Sequence, residues 1–206
     1  MIERQKTEVE ARSTCKRRGS VVTPDAIDRA AEGTSAIAWP ASGRAHNRVL
    51  LRQCRALLTD LDVDAMRYGP PRDPTNTIGG HLRHALDHHE ALLAALLTAA
   101  PDACVDYAAR RRGTRCEQDP CAAQARVQRL EAGFARLSTE DEARRLQVLR
   151  DDGRRHETTA ARELDFVASH TTHHLAIVAL LAKLQGIEVP EGLGVAPSTL
   201  RHRRGR

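Results

Sequence analysis

Seven of the ten histidines fall in two short stretches: His81, His84, His88 and His89 in IGGHLRHALDHHEALL, and His170, His173 and His174 in ASHTTHHLAIVALL. Neutral imidazole is the commonest protein ligand for a metal ion. On a helix His170 and His174 stand i, i+4, so both rings can reach one ion. His81, His84 and His88, spaced i, i+3, i+7, form a stripe that borders an apolar arc. A single histidine beside such an arc is ordinarily a boundary residue satisfied by one hydrogen bond. Burying many together would cost desolvation at each, whereas one divalent ion satisfies several at once. Metal chemistry is therefore the expectation.

Helices must position these rings. Aromatic residues make up only 2% of the 206 residues while Ala and Leu abound, a composition of strong helix formers that favours an all-α domain over a sheet. Four helices are predicted. The first covers residues 43–61, with Val49, Leu50, Cys54, Leu57, Leu58 and Leu61 at helical spacing, and Gly69-Pro70-Pro71 blocks its continuation. The second covers 77–99 with Thr77 as N-cap; Leu82, Leu86, Leu93 and Leu97 form its apolar stripe, and Arg83, Asp87 and Glu90 a polar one. Small Ala91 and Ala95 beside the histidines would let a neighbouring helix approach closely. The third opens with Asp119 as N-cap and Pro120 at N1, and carries Ala125, Val127, Leu130, Phe134 and Leu137. The fourth covers 163–186 and is expected to align Phe166, Val167, His170, His174, Ile177, Leu181 and Leu184 on one face, with Thr172, Ala176 and Lys183 opposite and Gly186 as stop. The charged residues 138–157, with the turn signal Asp151-Asp152-Gly153, connect the last two helices. The Gly- and Pro-rich IEVPEGLGVAPSTL is expected to pack back without being helical.

One helical domain at 43–200 accounts for the length, between a poorly ordered extension at 1–42 and a basic tail at 201–206. The formal charge of +5 is concentrated in Lys16-Arg17-Arg18, Arg110-Arg111-Arg112 and the tail, which read first as solvated loops. The arginines at 110–112 could alternatively form a positive lip over a pocket for an anionic substrate. Nucleic acid is an unfavoured partner, because the scarce aromatics offer no stacking platform. Five cysteines, odd in number and without a CxxC pair, argue against a disulfide framework or zinc knuckle and for a reducing, cytoplasmic setting. The N-terminus lacks an apolar signal core and no apolar run approaches a membrane span.

The GGHLRHALDHHEALL and SHTTHHLAIVALL segments, in the second and fourth of four helices, resemble the DinB-like (DinB/YfiT) superfamily of metal-binding four-helix bundles. The trailing GIEVPEGLGVAPSTL is similar to the end of a bacterial branch of that family, and the resemblance spans about residues 43–200. It implies a divalent ion (zinc, nickel or iron) on three histidines. The HxxxH pair maps onto His170 and His174, and the second-helix ligand onto His84, with His81 and His88 as alternates. His173 would line the pocket or stand behind a ligand, and Glu163, two turns before His170, could orient a ligand, accept a proton or form a salt bridge. Three neutral ligands leave positions open for water or substrate. The implied function is that of a metal-dependent enzyme on a small molecule, a transferase using a low-molecular-weight thiol or a hydrolase. A metal-stabilised binding or sensing module is the alternative, and a homodimer through a helical face is compatible with either.

Overall fold

Ser42 accepts a hydrogen bond from the Ala45 amide and so starts α1 (Gly43–Leu58), which buries Leu50, Leu51, Cys54, Leu57 and Leu58. The computed structural model describes residues 42–98, 100, 102–110 and 112–204; the predicted N-terminal extension and the end of the basic tail lie outside them. The predicted first helix divides before Leu61. Thr59 caps α1, and Asp62 opens the short α2 (Val63–Arg67) by accepting from the Ala65 amide. Thr77 caps α3 (Ile78–Leu97) as expected, its hydroxyl accepting from the Gly80 amide at 3.0 Å. Asp119 and Pro120 begin α4 (Pro120–Arg136), whose inner face is Ala123, Val127, Leu130 and Phe134; Ala125 is exposed and Ala123 takes its place in the core. After α5 (Thr139–Ala143) the chain forms β2 (Arg145–Leu149) and β3 (Arg155–Thr159), then passes directly into α6 (Ala160–Leu184). Finally α7 (Pro197–Arg204) makes helix of a stretch read as irregular and of part of the predicted tail.

The architecture is mostly helical, and the expectation of an all-α chain needs correction. β1 (Cys104–Val105) pairs in parallel with β2, and β2 pairs antiparallel with β3, giving a three-stranded sheet. RLQVL alternates too briefly to read as a strand, and of the sheet only Val105 and Leu146 are fully buried. The Asp151-Asp152-Gly153 turn was legible; that it joins two strands was not.

α1 packs on α4 and α6, and α3 packs on the same two helices, so apolar side chains from all four enter one core. Asn47, fully buried, ties α1 to α6 by donating from Nδ2 to the carbonyls of Gly43 and Leu164, both at 2.8 Å. Arg144 closes the end of α3 by donating to the Leu96 carbonyl, which the helix C-terminus leaves without a partner, and to the Thr98 and Ala100 carbonyls just beyond it. The buried stripe of α6 runs through Leu164, Val167, Ala168, Thr171, Leu175, Val178, Leu181 and Ala182. It is rotated from the predicted one: Phe166 and Leu184 are exposed, Thr172 is buried, and His170 and His174 lie half-buried at the border. Gly186 ends α6 with φ +72°, and the following segment returns to α6 as predicted. Gly194, at φ +68°, lies against the Ala176 backbone where a Cβ would collide.

Candidate metal centre

α3 and α6 pack side by side and bring His84, His170 and His174 together. Each offers one ring nitrogen, and the three atoms lie within 4.8 Å of one another. Ring centroids are 4.8 Å apart for His84 and His170, 4.6 Å for His84 and His174, and 4.5 Å for His170 and His174. The Nε2 atoms of His170 and His174 are separated by 3.2 Å. One residue of α3 and an i, i+4 pair of α6 thus converge on one point.

His81 stands behind this group. Its Nε2 bonds the Asn76 carboxamide oxygen, which can only accept, so His81 donates from Nε2 and its Nδ1 is bare. That Nδ1 lies 2.9 Å from His174 Nδ1, which must therefore donate. The proton order fixes the His174 tautomer with Nε2 bare and facing His170, the way an outer hydrogen bond orients a metal-binding imidazole. His88 is held differently. Its Nδ1 donates to the His84 carbonyl at 3.0 Å, and its ring is stacked between His170, centroid 4.0 Å away, and Tyr107, 5.0 Å away.

Tyr107 follows β1 by two residues, so the sheet delivers it. Its hydroxyl donates to Glu163 at 3.0 Å, and Glu163 also accepts from Thr158 and Arg162, both at 2.7 Å. Burial and the Glu163 carboxylate push the Tyr107 pKa up, keeping the phenol a donor. Of the roles open to Glu163 in the sequence, the salt bridge is present, and the carboxylate acts on Tyr107 in place of any triad ring. His173 is exposed, its ring edge-on to His174 at 5.2 Å. His89 turns to the other side of α3, edge-on to Phe134, its Nδ1 donating to the Ala85 carbonyl.

Burial and mutual repulsion hold these rings neutral. His170 and His174 are lowered to about 3, chiefly by burial and then by neighbouring imidazoles. His84 is lowered to about 4 by burial, then by His88 and Arg110; His81 and His88 are also lowered, burial leading in both. Neutral imidazole is the form that binds metals. With His174 Nε2 bare, a neutral His170 either donates to it from Nε2 or turns a second lone pair on the same space, and a cation fills the second arrangement. His170 Nδ1 is buried without a hydrogen-bond partner, so nothing on the protein side commits that ring to the first. The residues fit a divalent ion with nitrogen donors.

A cleft of about 570 Å³ is lined by Tyr107 and Phe166, whose rings pack on His88 and His170, and by Val148, Arg150, His156 and Arg162; the cluster histidines themselves do not line it. Tyr107, Phe166 and Asn76 were not recognised as site residues from sequence. Two tyrosines and two phenylalanines in 206 residues make each aromatic near a polar cluster a signal, and that signal was available. Asn76 offered none, because its role depends on a ring one turn into α3.

No helix among the described residues is long and apolar enough to cross a membrane. Comparison with curated proteins finds no match. The family model for the DinB superfamily does match, over residues 47–178, a span that runs from α1 through His84 and past His174. The chain belongs to the DinB superfamily.

Proposed function

We propose that the chain is a DinB-like four-helix bundle in which His84, His170 and His174 hold a divalent metal ion, and that it is a metal-dependent enzyme acting on a small molecule. The observation that carries this reading is the convergence of three neutral imidazole nitrogens within 4.8 Å, with His174 held by His81 and His170 stacked on His88. Once bound, the ion would supply a Lewis acid able to lower the pKa of water or to hold a thiolate.

The surrounding residues favour catalysis over a purely structural site. The three ligands leave coordination open, and a cleft of about 570 Å³, the size of a small-molecule pocket, lies beyond Tyr107 and Phe166, whose rings pack on His88 and His170. His81 fixes the His174 tautomer, and His88 with Tyr107 walls one side of the site. Transfer involving a low-molecular-weight thiol and metal-assisted hydrolysis are the reactions that suit this arrangement. Cys54, Cys104 and Cys116 are free thiols, consistent with a cytoplasmic protein.

Elemental analysis of protein purified without an affinity tag, beside His84→Ala and His174→Ala, tests the site. About one divalent metal per wild-type chain, lost in both variants, is the expected result. Absence of metal from the wild type after reconstitution would return these histidines to the core and leave a helical binding module.

A further inference from the structure

The turn after β1 does more than deliver Tyr107. Asp106 accepts from the Ala108 and Ala109 amides at 2.9 and 3.1 Å, and the Arg110 amide donates to the Ala108 carbonyl at 2.7 Å. Tyr107 anchors the same turn through its stack on His88 and its bond to Glu163. Arg110 therefore leaves a firmly held turn, and its Nη1 donates to His84 Nδ1 at 3.2 Å. A guanidinium can only donate. The Arg110 bond thus takes the bare nitrogen of neutral His84, and the ring proton sits on Nε2.

For His84 to bind an ion this hydrogen bond must be given up, whether Nδ1 itself takes the ion or the ring proton moves to Nδ1 so that Nε2 can. Either change breaks the Arg110 contact. The displaced guanidinium, tethered to its turn, then stands beside a divalent ion held by three uncharged ligands. The carboxylates around this turn are already engaged: Asp106 by the Ala108 and Ala109 amides, Asp87 by Arg83 and Arg126, Glu163 by Tyr107, Thr158 and Arg162. Arg110 is exposed and bonds His84 in place of a carboxylate, so its charge is open to a ligand. We propose that Arg110 is a positioning residue that passes from His84 to a carboxylate on the substrate, so that the site selects small molecules carrying a carboxylate in addition to the group that meets the metal. One guanidinium matches one carboxylate in a paired hydrogen bond. The tripeptide position 110–112 singled out in the sequence as a positive lip thereby acquires a specific member: Arg110 and Arg112 are both exposed, and Arg110 bonds His84.

This rests on the metal reading above, and the test separates the two. Cobalt(II)-loaded wild type, Arg110→Ala and Arg110→Lys are titrated with 3-mercaptopropionate and with its uncharged analogue 3-mercaptopropan-1-ol, following the visible cobalt absorption. The wild type should prefer the carboxylate by roughly tenfold, the range of a charged hydrogen bond. Arg110→Ala should lose the preference while keeping cobalt, and Arg110→Lys should retain part of it. Without thiol, chelator competition should show Arg110→Ala binding cobalt more tightly than wild type, since the competitor for His84 is gone. Equal affinity of the wild type for both thiols, or an undiminished preference in Arg110→Ala, overturns the proposal. Failure of every protein to take up cobalt overturns the triad itself, and this inference with it.

Discussion

The two sides of α3 handle ionisable groups in opposite ways. Toward α6 the helix presents His81, His84 and His88, which meet His170 and His174 with no carboxylate bonded among the rings. Toward α4 it presents Asp87 and Glu90. Arg126 reaches both, bonding Asp87 at 2.7 Å, and Arg83 bonds Asp87 at 2.5 Å and Glu117 at 2.9 Å. On this second side the charges are paired, as a largely buried ion network requires. On the first side the rings are neutral and three ring nitrogens converge, an arrangement that a packed core alone does not need. One face of the helix has its charges paired by arginines, and the other gathers uncharged imidazoles that could hold an ion. Keeping the carboxylates on the far side also keeps the imidazole pKa values low, because a neighbouring acid would raise them.

The contrast is broken most severely by removing a ring from the α6 side. His170→Ala and His174→Ala should each abolish stoichiometric metal binding, whereas His89→Ala, whose ring faces Phe134, should retain the ion; elemental analysis decides. A variant of either HxxxH residue that kept one tightly bound ion per chain would refute the site.

His89 sharpens the comparison, since it is a histidine on α3 that lies outside the cluster. Its ring is fully buried, Nε2 has no partner, and burial lowers its pKa from 6.5 to about 4. The unfolded chain therefore takes up a proton more readily than the folded one. Stability from this group is present above pH 6.5 and is lost as pH falls from 6.5 toward 4, by up to about 3 kcal/mol. His89→Leu should remove this part of the acid limb, measured by denaturant unfolding at pH 7 and pH 4. An unchanged difference between the two pH values would mean that the ring is not buried neutral.

On the paired side, Arg126→Ala should destabilise the fold by about 2 kcal/mol, because Asp87 keeps Arg83 but loses one of two cationic partners in a largely buried setting. Metal content should be unchanged, so loss of the ion with retained stability would contradict the separation of the two faces. The smallest effect is expected at His81. Removing the ring that fixes the His174 tautomer in His81→Ala should weaken metal affinity by about 10-fold, read by chelator competition, with one ion still bound at saturation. Unaltered affinity would reduce the Asn76–His81–His174 relay to packing.

Several features of this chain are local and were therefore legible from residue order. Thr77 and Asp119 cap helices because their side chains bond amides two or three residues on, and Gly186 stops α6 because it accepts a positive φ. The histidine spacing placed His81, His84 and His88 on one stripe and His170 and His174 on another, and the resemblance to the DinB-like superfamily selected the three that the fold brings together. What depends on partners distant in sequence was decided by tertiary structure. The strand character of residues 145–149 and 155–159 comes from pairing, with β1 supplied from forty residues upstream, so local propensity underdetermined it. The rotation of the α6 core stripe follows from its packing against both α1 and α3, which a single apolar face does not describe. The ring protonation order is likewise non-local: His174 is set by His81 and Asn76 on another element, and His84 by Arg110 on a loop. The sequence by itself determined which imidazoles could share a face; only the fold decided which of them meet, and which nitrogen each one offers.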